Sequence, residues 1–164
     1  MRRRNHAIRW DDLTIVTAID QTDRLLLAAL AANGRVSLKQ LASAAGLSSP
    51  SAAERLRKLE ERGIIRSYST EIDPKILGLT VEALVRIRPL PGRQRNVREK
   101  IEAMAEVAEC DSITGEDCFM ARIFARSMEH LDSLVEGLAD EASTNTSIVK
   151  RQIVGRRSIL PATD

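Results

Sequence analysis

Residues 37–63, SLKQLASAAGLSSPSAAERLRKLEERG, decide the fold of the N-terminal part of this chain. They contain two short amphipathic segments separated by Gly46, a residue type that favours the positive φ found at helix C-termini. Ser37 before the first segment, and Ser48 or Ser49 before the second, are typical N-caps, and Pro50 suits a first helical turn. The spacing predicts a helix-turn-helix, whose second helix fits the major groove of DNA.

The second helix carries two different faces. Ala52, Leu56 and Leu59 form an apolar stripe, which we expect to pack against the preceding helices. Serines and basic side chains occupy the other face, and we expect them to contact phosphates and base edges. The candidate DNA-binding residues are Ser48, Ser49, Ser51, Arg55, Arg57, Lys58 and Arg62. Glutamates interleave with these bases, so a charged face that only contacts solvent is the alternative.

The flanking residues complete a three-helix domain. Asp20 and Asp23 precede an apolar segment at residues 24–32, as acidic residues often do at the positive end of a helix, and Asn33-Gly34 ends it. After Gly63, residues 64–72 form a β-branched run that predicts a wing or a linking strand.

Composition and charge limit the possible classes of protein. A length of 164 residues, with 29% charged and 43% apolar residues, is typical of one ordinary globular domain or two small ones. Residues 1–66 carry 12 Lys/Arg against 7 Asp/Glu, whereas residues 67–164 carry 13 against 16. The positive excess therefore lies in the part that would meet DNA. Aromatic residues make up only 2%, which argues against stacking platforms for single strands.

The sequence also indicates what is absent. No stretch is long enough to span a membrane and no signal peptide is visible, so we expect a cytoplasmic protein. Cys110 and Cys118 form no CxxC metal pattern, and we expect both to be buried in strands as small hydrophobic residues. His6 and His130 are the only histidines, the latter expected on the solvent side of a helix, and no nucleophile–base pair is evident. We therefore expect no catalytic residues, no metal and no cofactor.

The second half predicts a βαββαβ order. Alternating residues indicate strands at 79–88, 109–114, 118–126 and 147–155, with helices at 93–108 and 128–138. This is the order of a ferredoxin-like sandwich, an antiparallel sheet with two helices on one face. The other face would expose Arg86, Arg88, Met120, Arg122 and Phe124, and we expect it to pair with another copy of the chain. The fold class is α+β: a winged helix-turn-helix domain plus a ferredoxin-like domain.

Five segments together resemble the Lrp/AsnC family, the feast/famine transcriptional regulators of bacteria and archaea. They are residues 19–26 (IDQTDRLL), 33–37 (NGRVS), 41–48 (LASAAGLS), 55–65 (RLRKLEERGII) and 115–119 (GEDCF). The resemblance covers about residues 19–160. It implies an N-terminal extension at 1–18, a DNA-binding domain at 19–66, a linker strand and hinge at 67–78, and an effector-binding and oligomerisation domain at 79–160.

The resemblance also implies partners and a second site. Family members bind double-stranded DNA, dimerise through their sheets, and often assemble into octamers that bind an amino acid between dimers. The effector-binding residues it implies are Thr114, Gly115, Glu116 and Asp117, with Thr144, Thr146 and Ser147 at the mouth of the last strand. Cys118 and Phe119 stand where the family commonly has an acid and a tyrosine, which leaves the effector undefined.

Other interpretations remain open. Residues 114–117 could form a plain hairpin, and the protein could be an architectural DNA binder without an effector. Siroheme decarboxylases share this two-part plan, but their chemistry needs histidines around a tetrapyrrole. Arg2-Arg3-Arg4 could be an arm that grips DNA or a solubilising tail.

Overall fold

A computed structural model describes residues 19–159 of the chain. Within this range no helix is long and apolar enough to cross a membrane. The chain divides into two compact units, one ending at Thr70 and one comprising residues 71–155, and the segment from Arg156 is grouped with the first unit. The division falls inside the predicted linker at 67–78. The predicted arm at Arg2-Arg3-Arg4 and His6 lie outside the described residues.

Residues 19–70 of the first unit contain three helices: α1 (Gln21–Ala32), α2 (Leu38–Ala44) and α3 (Ser49–Glu61). Each begins at a side-chain cap. Asp20 accepts from the Asp23 amide at 2.7 Å, Ser37 forms a reciprocal capping box with Gln40, and the Ser48 hydroxyl accepts from the Ser51 amide at 3.3 Å. The predicted N-caps Ser37 and Ser48 are therefore confirmed, and the structure adds Asp20 as a third.

The turn between α2 and α3 is a Schellman motif. The Gly46 amide donates to Ser43 O at 3.3 Å and the Leu47 amide donates to Ala42 O at 2.8 Å. Gly46 has φ +66°, as the sequence predicts. Leu47 packs against the small core of this unit, which is formed by Leu26, Leu41, Ala42 and Ala52.

The strand predicted at 64–72 is absent from the structure. Residues 64 and 65 instead close the end of α3, because the amides of Ile64 and Ile65 donate to Leu59 O at 2.9 and 3.2 Å. Gly63, with φ +69°, lets the chain turn there. Residues 66–73 adopt neither helix nor strand, because a strand requires a hydrogen-bonding partner and none pairs with them within residues 19–159.

The second unit is an antiparallel four-stranded sheet with two helices. Its elements are β1 (Val81–Pro89), α4 (Gln94–Ala103), β2 (Val107–Ser112), β3 (Phe119–Ala125), α5 (Met128–Glu136) and β4 (Ala142–Ile148). The strand order is β2-β3-β1-β4, and every neighbouring pair is antiparallel. This confirms the predicted ferredoxin-like domain.

One face of the sheet packs against the helices. Ala83, Val85 and Ile87 of β1 are fully buried, together with Val97 of α4 and Leu131 of α5. The alternate residues of β1 and β3 form the other face, because successive side chains of a strand point to opposite sides. On that face Arg86 and Arg88 are exposed, whereas Met120, Arg122 and Phe124 are half-buried.

Two elements differ from the sequence prediction by five residues or more. The helix predicted to reach residue 108 ends at Ala103, because Met104 takes an extended conformation with ψ 117° and leads into β2. The last strand lies at Ala142–Ile148 and not at 147–155. β4 pairs with residues 83–89 of β1, and the Val149 amide donates to Glu82 O at 2.8 Å. Because β1 begins at Val81, almost no residue of β1 is left to pair with the chain beyond Val149.

The prediction that both cysteines are buried is wrong for Cys110 and only partly right for Cys118, which packs against the core of the sheet. Cys110 lies in β2 but is exposed, because β2 is an edge strand whose residues 108–112 are all exposed. Cys118 is half-buried and precedes the start of β3.

Candidate DNA-binding surface and effector turn

The N-terminal end of α3 presents three serines. The Ser48 and Ser51 hydroxyl groups lie 2.8 Å apart, and Ser48 caps the helix, so both are fixed in position. Ser48 and Ser51 are exposed and Ser49 is half-buried. The positive end of the helix dipole favours contact with a phosphate at this end.

Arg55 is anchored to the start of α1. Its Nη1 donates to Asp20 Oδ2 at 2.5 Å and to Asp23 Oδ1 at 2.8 Å. The backbone amide of Asp23 and then Arg55 hold the pKa of Asp20 below its usual value. Asp23 is almost buried, with 6% of its surface exposed, so Arg55 gives this carboxylate a partner. The Nε and Nη2 groups of Arg55 make no bond within the described part of the chain.

Arg57 and Lys58 are paired with glutamates of their own helix. Glu54 binds Arg57 through both oxygens, with Nε–Oε2 3.0 Å and Nη2–Oε1 2.7 Å, and Glu61 binds Arg57 from the other side. The Lys58 Nζ lies 3.5 Å from Glu54 Oε1. These contacts, led by the hydrogen bond from Arg57, lower the pKa of Glu54 to about 2. Arg62 is exposed at the C-cap of α3.

Residues 114–117 form the tip of the β2–β3 hairpin. The hairpin is closed by the Ile113 amide, which donates to Cys118 O at 2.9 Å, and the Cys118 amide donates to Ile87 O at 3.1 Å. Gly115 has φ +114°, a value that side chains rarely adopt. A Cβ built at Gly115 would meet no atom within 4 Å, so the backbone conformation, and not crowding, requires glycine there.

Arg88 links this turn to the central strand. Its Nη2 donates to Glu116, and its Nε lies 3.7 Å from Asp117 Oδ1. Glu116 is exposed and Asp117 is more shielded, with 28% of its side chain accessible. The alternation along β1 predicts Arg88 on the open sheet face, but no local pattern predicts its contact with the turn, because Arg88 and Glu116 are 28 positions apart. The turn therefore combines two carboxylates, one guanidinium and a glycine with positive φ.

The other candidate effector residues lie in β4 and not at the mouth of a later strand. Thr144 pairs with Ile87, which in turn pairs with Phe119, so Thr144 lies at the same end of the sheet as the turn. Thr146 pairs with Val85, one step further along the helix-covered face. Ser147 pairs with Leu84 and so lies on the opposite face. The structure does not bring these three residues together.

A shallow groove lies beside the hairpin. It has a volume of about 290 Å³ and is lined by Gln94, Arg95 and Arg98 of α4 with Ser112 and Phe119 at the base of the hairpin. No group of three or more metal-ligating side chains is found among residues 19–159. His130 is not on the solvent side of its helix, because its Nδ1 accepts from the Arg126 amide at 3.2 Å and its Nε2 lies 3.6 Å from Glu106.

Family comparisons agree with both parts of the structure. Residues 19–66 match a winged helix-turn-helix DNA-binding model, and residues 82–159 match the Lrp/AsnC ligand-binding domain. The chain is 33% identical over 147 residues to the transcriptional regulator LrpA of Mycobacterium tuberculosis, covering 88% of this chain and 98% of that protein. It is 31% identical over 135 residues to LrpC of Bacillus subtilis, covering 82% and 94%.

Solved structures give the same result. A feast or famine regulatory protein from M. tuberculosis, complexed with L-methionine, superposes with a TM-score of 0.81 at 33% identity over 88% of this chain and all of that chain. A regulator from Neisseria meningitidis, also an L-methionine complex, superposes with a TM-score of 0.80 at 25% identity over 88% and 97%.

Proposed function

Because the chain belongs to the Lrp/AsnC family of helix-turn-helix transcriptional regulators, and not to an enzyme family, we propose a division of work between its two units. The first unit reads an operator through α3. The second unit binds an amino acid at the Gly115 turn and assembles the chain into dimers and larger even-numbered rings, with the octamer as the expected form.

The orientation of α3 carries the DNA-binding part of the proposal. Its apolar residues Ala52 and Leu59 are buried, which leaves the serine and basic face exposed. Ser48, Ser49, Ser51 and Arg55 lie in the N-terminal half, nearest to base edges in a docked helix-turn-helix. Arg57, Lys58 and Arg62 lie in the C-terminal half and contact phosphates. Because only Nη1 of Arg55 is bonded among residues 19–159, its Nε and Nη2 groups can donate to a base.

The DNA-binding surface is tested with one lysine of α3. Lys58→Ala removes one phosphate contact, so binding should weaken on all sequences alike and the salt slope should fall by about one. Lys150→Ala is the matched control, since Lys150 is exposed in the other unit. Equal salt slopes for Lys58→Ala and the wild type would contradict the assignment.

The Gly115 turn carries the effector part. Backbone amides next to a glycine can approach a ligand carboxylate, and Glu116 and Asp117 can accept from an ammonium group. Thr114 precedes the turn, and Thr144 lies at the same end of the sheet. Thr146 and Ser147 lie further along β4 and would contact a ligand only if a second copy brings it there. The L-methionine complexes of the two structural relatives support an amino-acid effector.

The effector site is tested by calorimetric titration of the twenty amino acids, L-methionine first. Gly115→Val should abolish binding, whereas Asp117→Ala should weaken it without distorting the hairpin. Gly78→Val is the matched control, because Gly78 also has positive φ (+85°) and open space around it, but lies in a different turn. If Gly115→Val still binds the amino acid with full affinity, the effector site does not lie at the Gly115 turn. A wild type that binds no amino acid would support an architectural DNA-binding protein.

The open face of the sheet supports assembly. Leu84, Met120 and Phe124 are half-buried there next to Arg86, which has no ion-pair partner among residues 19–159. A second copy would cover these apolar side chains. Light scattering should give at least a dimer for the wild type and a lower mass for Met120→Lys, and a monomeric wild type at micromolar concentration would refute the assembly.

A further inference from the structure

The face of α3 that is offered to DNA is not uniformly basic. Glu54 is in contact with both Arg57 and Lys58, and Glu61 makes a second contact with Arg57. About half of each of these side chains is accessible to solvent. The helix therefore supplies its own anions to the cations that would bind phosphate.

The spacing explains why Glu54 has this role. It precedes Arg57 by three residues and Lys58 by four, and side chains at these separations are neighbours on one face of a helix. Glu54 is thus one turn closer than its partners to the N-terminal end of α3, the end that contacts base edges in a docked helix-turn-helix. With a pKa of about 2, its carboxylate stays ionised at any physiological pH.

An internal anion affects DNA binding in a defined way. Affinity for any duplex rises with each cation that neutralises a phosphate and releases a condensed counterion. A cation already paired with Glu54 must first lose that partner, so the gain is smaller on every sequence. On a matching site, the carboxylate can accept a hydrogen bond from a cytosine amino group, which offsets part of the penalty. On a mismatched site, it faces other acceptors and the whole penalty remains.

We propose that Glu54 is a specificity-determining residue of this regulator, one that lowers affinity for non-operator DNA more than affinity for the operator. It acts through Arg57 and Lys58, whose access to phosphate it controls. The inference rests on the proposed function of α3 as the DNA recognition helix. Beyond that function, it assigns to Glu54 the role of weakening DNA binding so that binding becomes more selective for the operator.

The test compares Glu54→Gln with Glu99→Gln. Glu99 accepts from Arg95 Nε at 2.9 Å in an i,i+4 pair on α4, in the other unit. Both variants therefore lose one negative charge on a helix surface, Glu99→Gln with its one intrahelical pair and Glu54→Gln with its pairs to Arg57 and Lys58. Affinity is measured for an operator selected from a random-sequence library and for a scrambled duplex, between about 50 and 200 mM salt. Thermal melting by circular dichroism confirms that each variant is folded.

Glu54→Gln should bind the scrambled duplex roughly three- to tenfold tighter at low salt, with a salt slope steeper by about one. Its ratio of operator to scrambled affinity should fall. Glu54→Asp keeps the charge and should restore the ratio, and Glu99→Gln should match the wild type.

Three results would overturn the inference. They are an unchanged slope and ratio in Glu54→Gln, the same change in Glu99→Gln, and a loss of operator affinity with scrambled affinity unchanged, which would make Glu54 a direct base reader only. A wild type without any sequence preference would refute the proposed function itself, and this is measured before any variant is compared.

Discussion

Gly46 gives the most direct test of how the helix-turn-helix is built. Gly46→Ala places a Cβ on a residue with φ +66°. No atom lies within 4 Å of that Cβ, so the substitution causes no collision. The whole penalty is therefore the left-handed backbone conformation, about 1–2 kcal/mol for a residue other than glycine.

Two further variants test whether this penalty comes from the backbone conformation of Gly46. The Cβ added in Gly34→Ala also lies in open space, but Gly34 is not among the glycines with positive φ. The unfolding free energy of this variant should therefore equal that of the wild type or be slightly higher. Gly46→Asn should cost less than Gly46→Ala, because asparagine tolerates the left-handed region. The expected order of stability is Gly34→Ala, then Gly46→Asn, then Gly46→Ala.

The assay is urea unfolding followed by far-UV circular dichroism. With an m-value near 1 kcal/mol/M for a unit this small, Gly46→Ala should lower the helical midpoint by roughly 1–2 M. DNA affinity under conditions where the unit remains folded should change little, since the Schellman hydrogen bonds of Gly46 and Leu47 are made by the backbone. Equal midpoints for Gly34→Ala and Gly46→Ala would refute the explanation of the turn by backbone conformation.

Three other predictions concern ionisation and packing. Tyr68, the only tyrosine, should titrate by ultraviolet absorbance near pH 12, because burial and its 2.7 Å hydrogen bond to Glu60 raise its pKa to about 12. Glu60→Gln should move that titration down toward 10, and the stability from this contact, present below pH 10, should be lost as pH rises to 12. The pKa of Asp20 is lowered on folding, so the stability that its carboxylate provides is present above the unfolded pKa of 3.8 and is lost as the pH falls through the folded pKa. Melting curves from pH 5 to 2 would detect this loss, and in Asp20→Asn the melting temperature should depend less on pH. Leu26→Ala should lower the unfolding free energy of the first unit by about 2–5 kcal/mol and impair DNA binding only. Leu131→Ala should lower that of the second unit by as much and impair effector binding only, and parallel melting and binding assays check both.

The helix-turn-helix was predictable residue by residue because its determinants are local. The caps Ser37 and Ser48 lie within three residues of the amides they bind, and the amides of Gly46 and Leu47 donate to Ser43 O and Ala42 O in the helical turn just before them. The open sheet face was predictable for the same reason, since alternation along β1 is a property of consecutive residues.

The errors arose where tertiary pairing decides the outcome. β4 consists mainly of small polar residues, ASTNTSI, so its alternation of apolar and polar residues is weak. The apolar Ile153 and Val154 beyond it favour a strand that lies too far toward the C-terminus. Those two side chains are exposed in the structure. The ion pairs of Arg55 and Arg88 join residues at least 28 positions apart, and no local pattern reveals such a partner.

The strand order has a consequence for synthesis of the protein. β1 is one of the two central strands, but its neighbours β3 and β4 are encoded after it, and β4 begins only at Ala142. The helices α1, α2 and α3, by contrast, are complete at Glu61. Because chains fold N-terminal part first as they leave the ribosome, the first unit should fold while β1 still awaits its partners. In that interval the apolar residues of β1 are uncovered, so a nascent chain paused before residue 142 should be the species that chaperones bind.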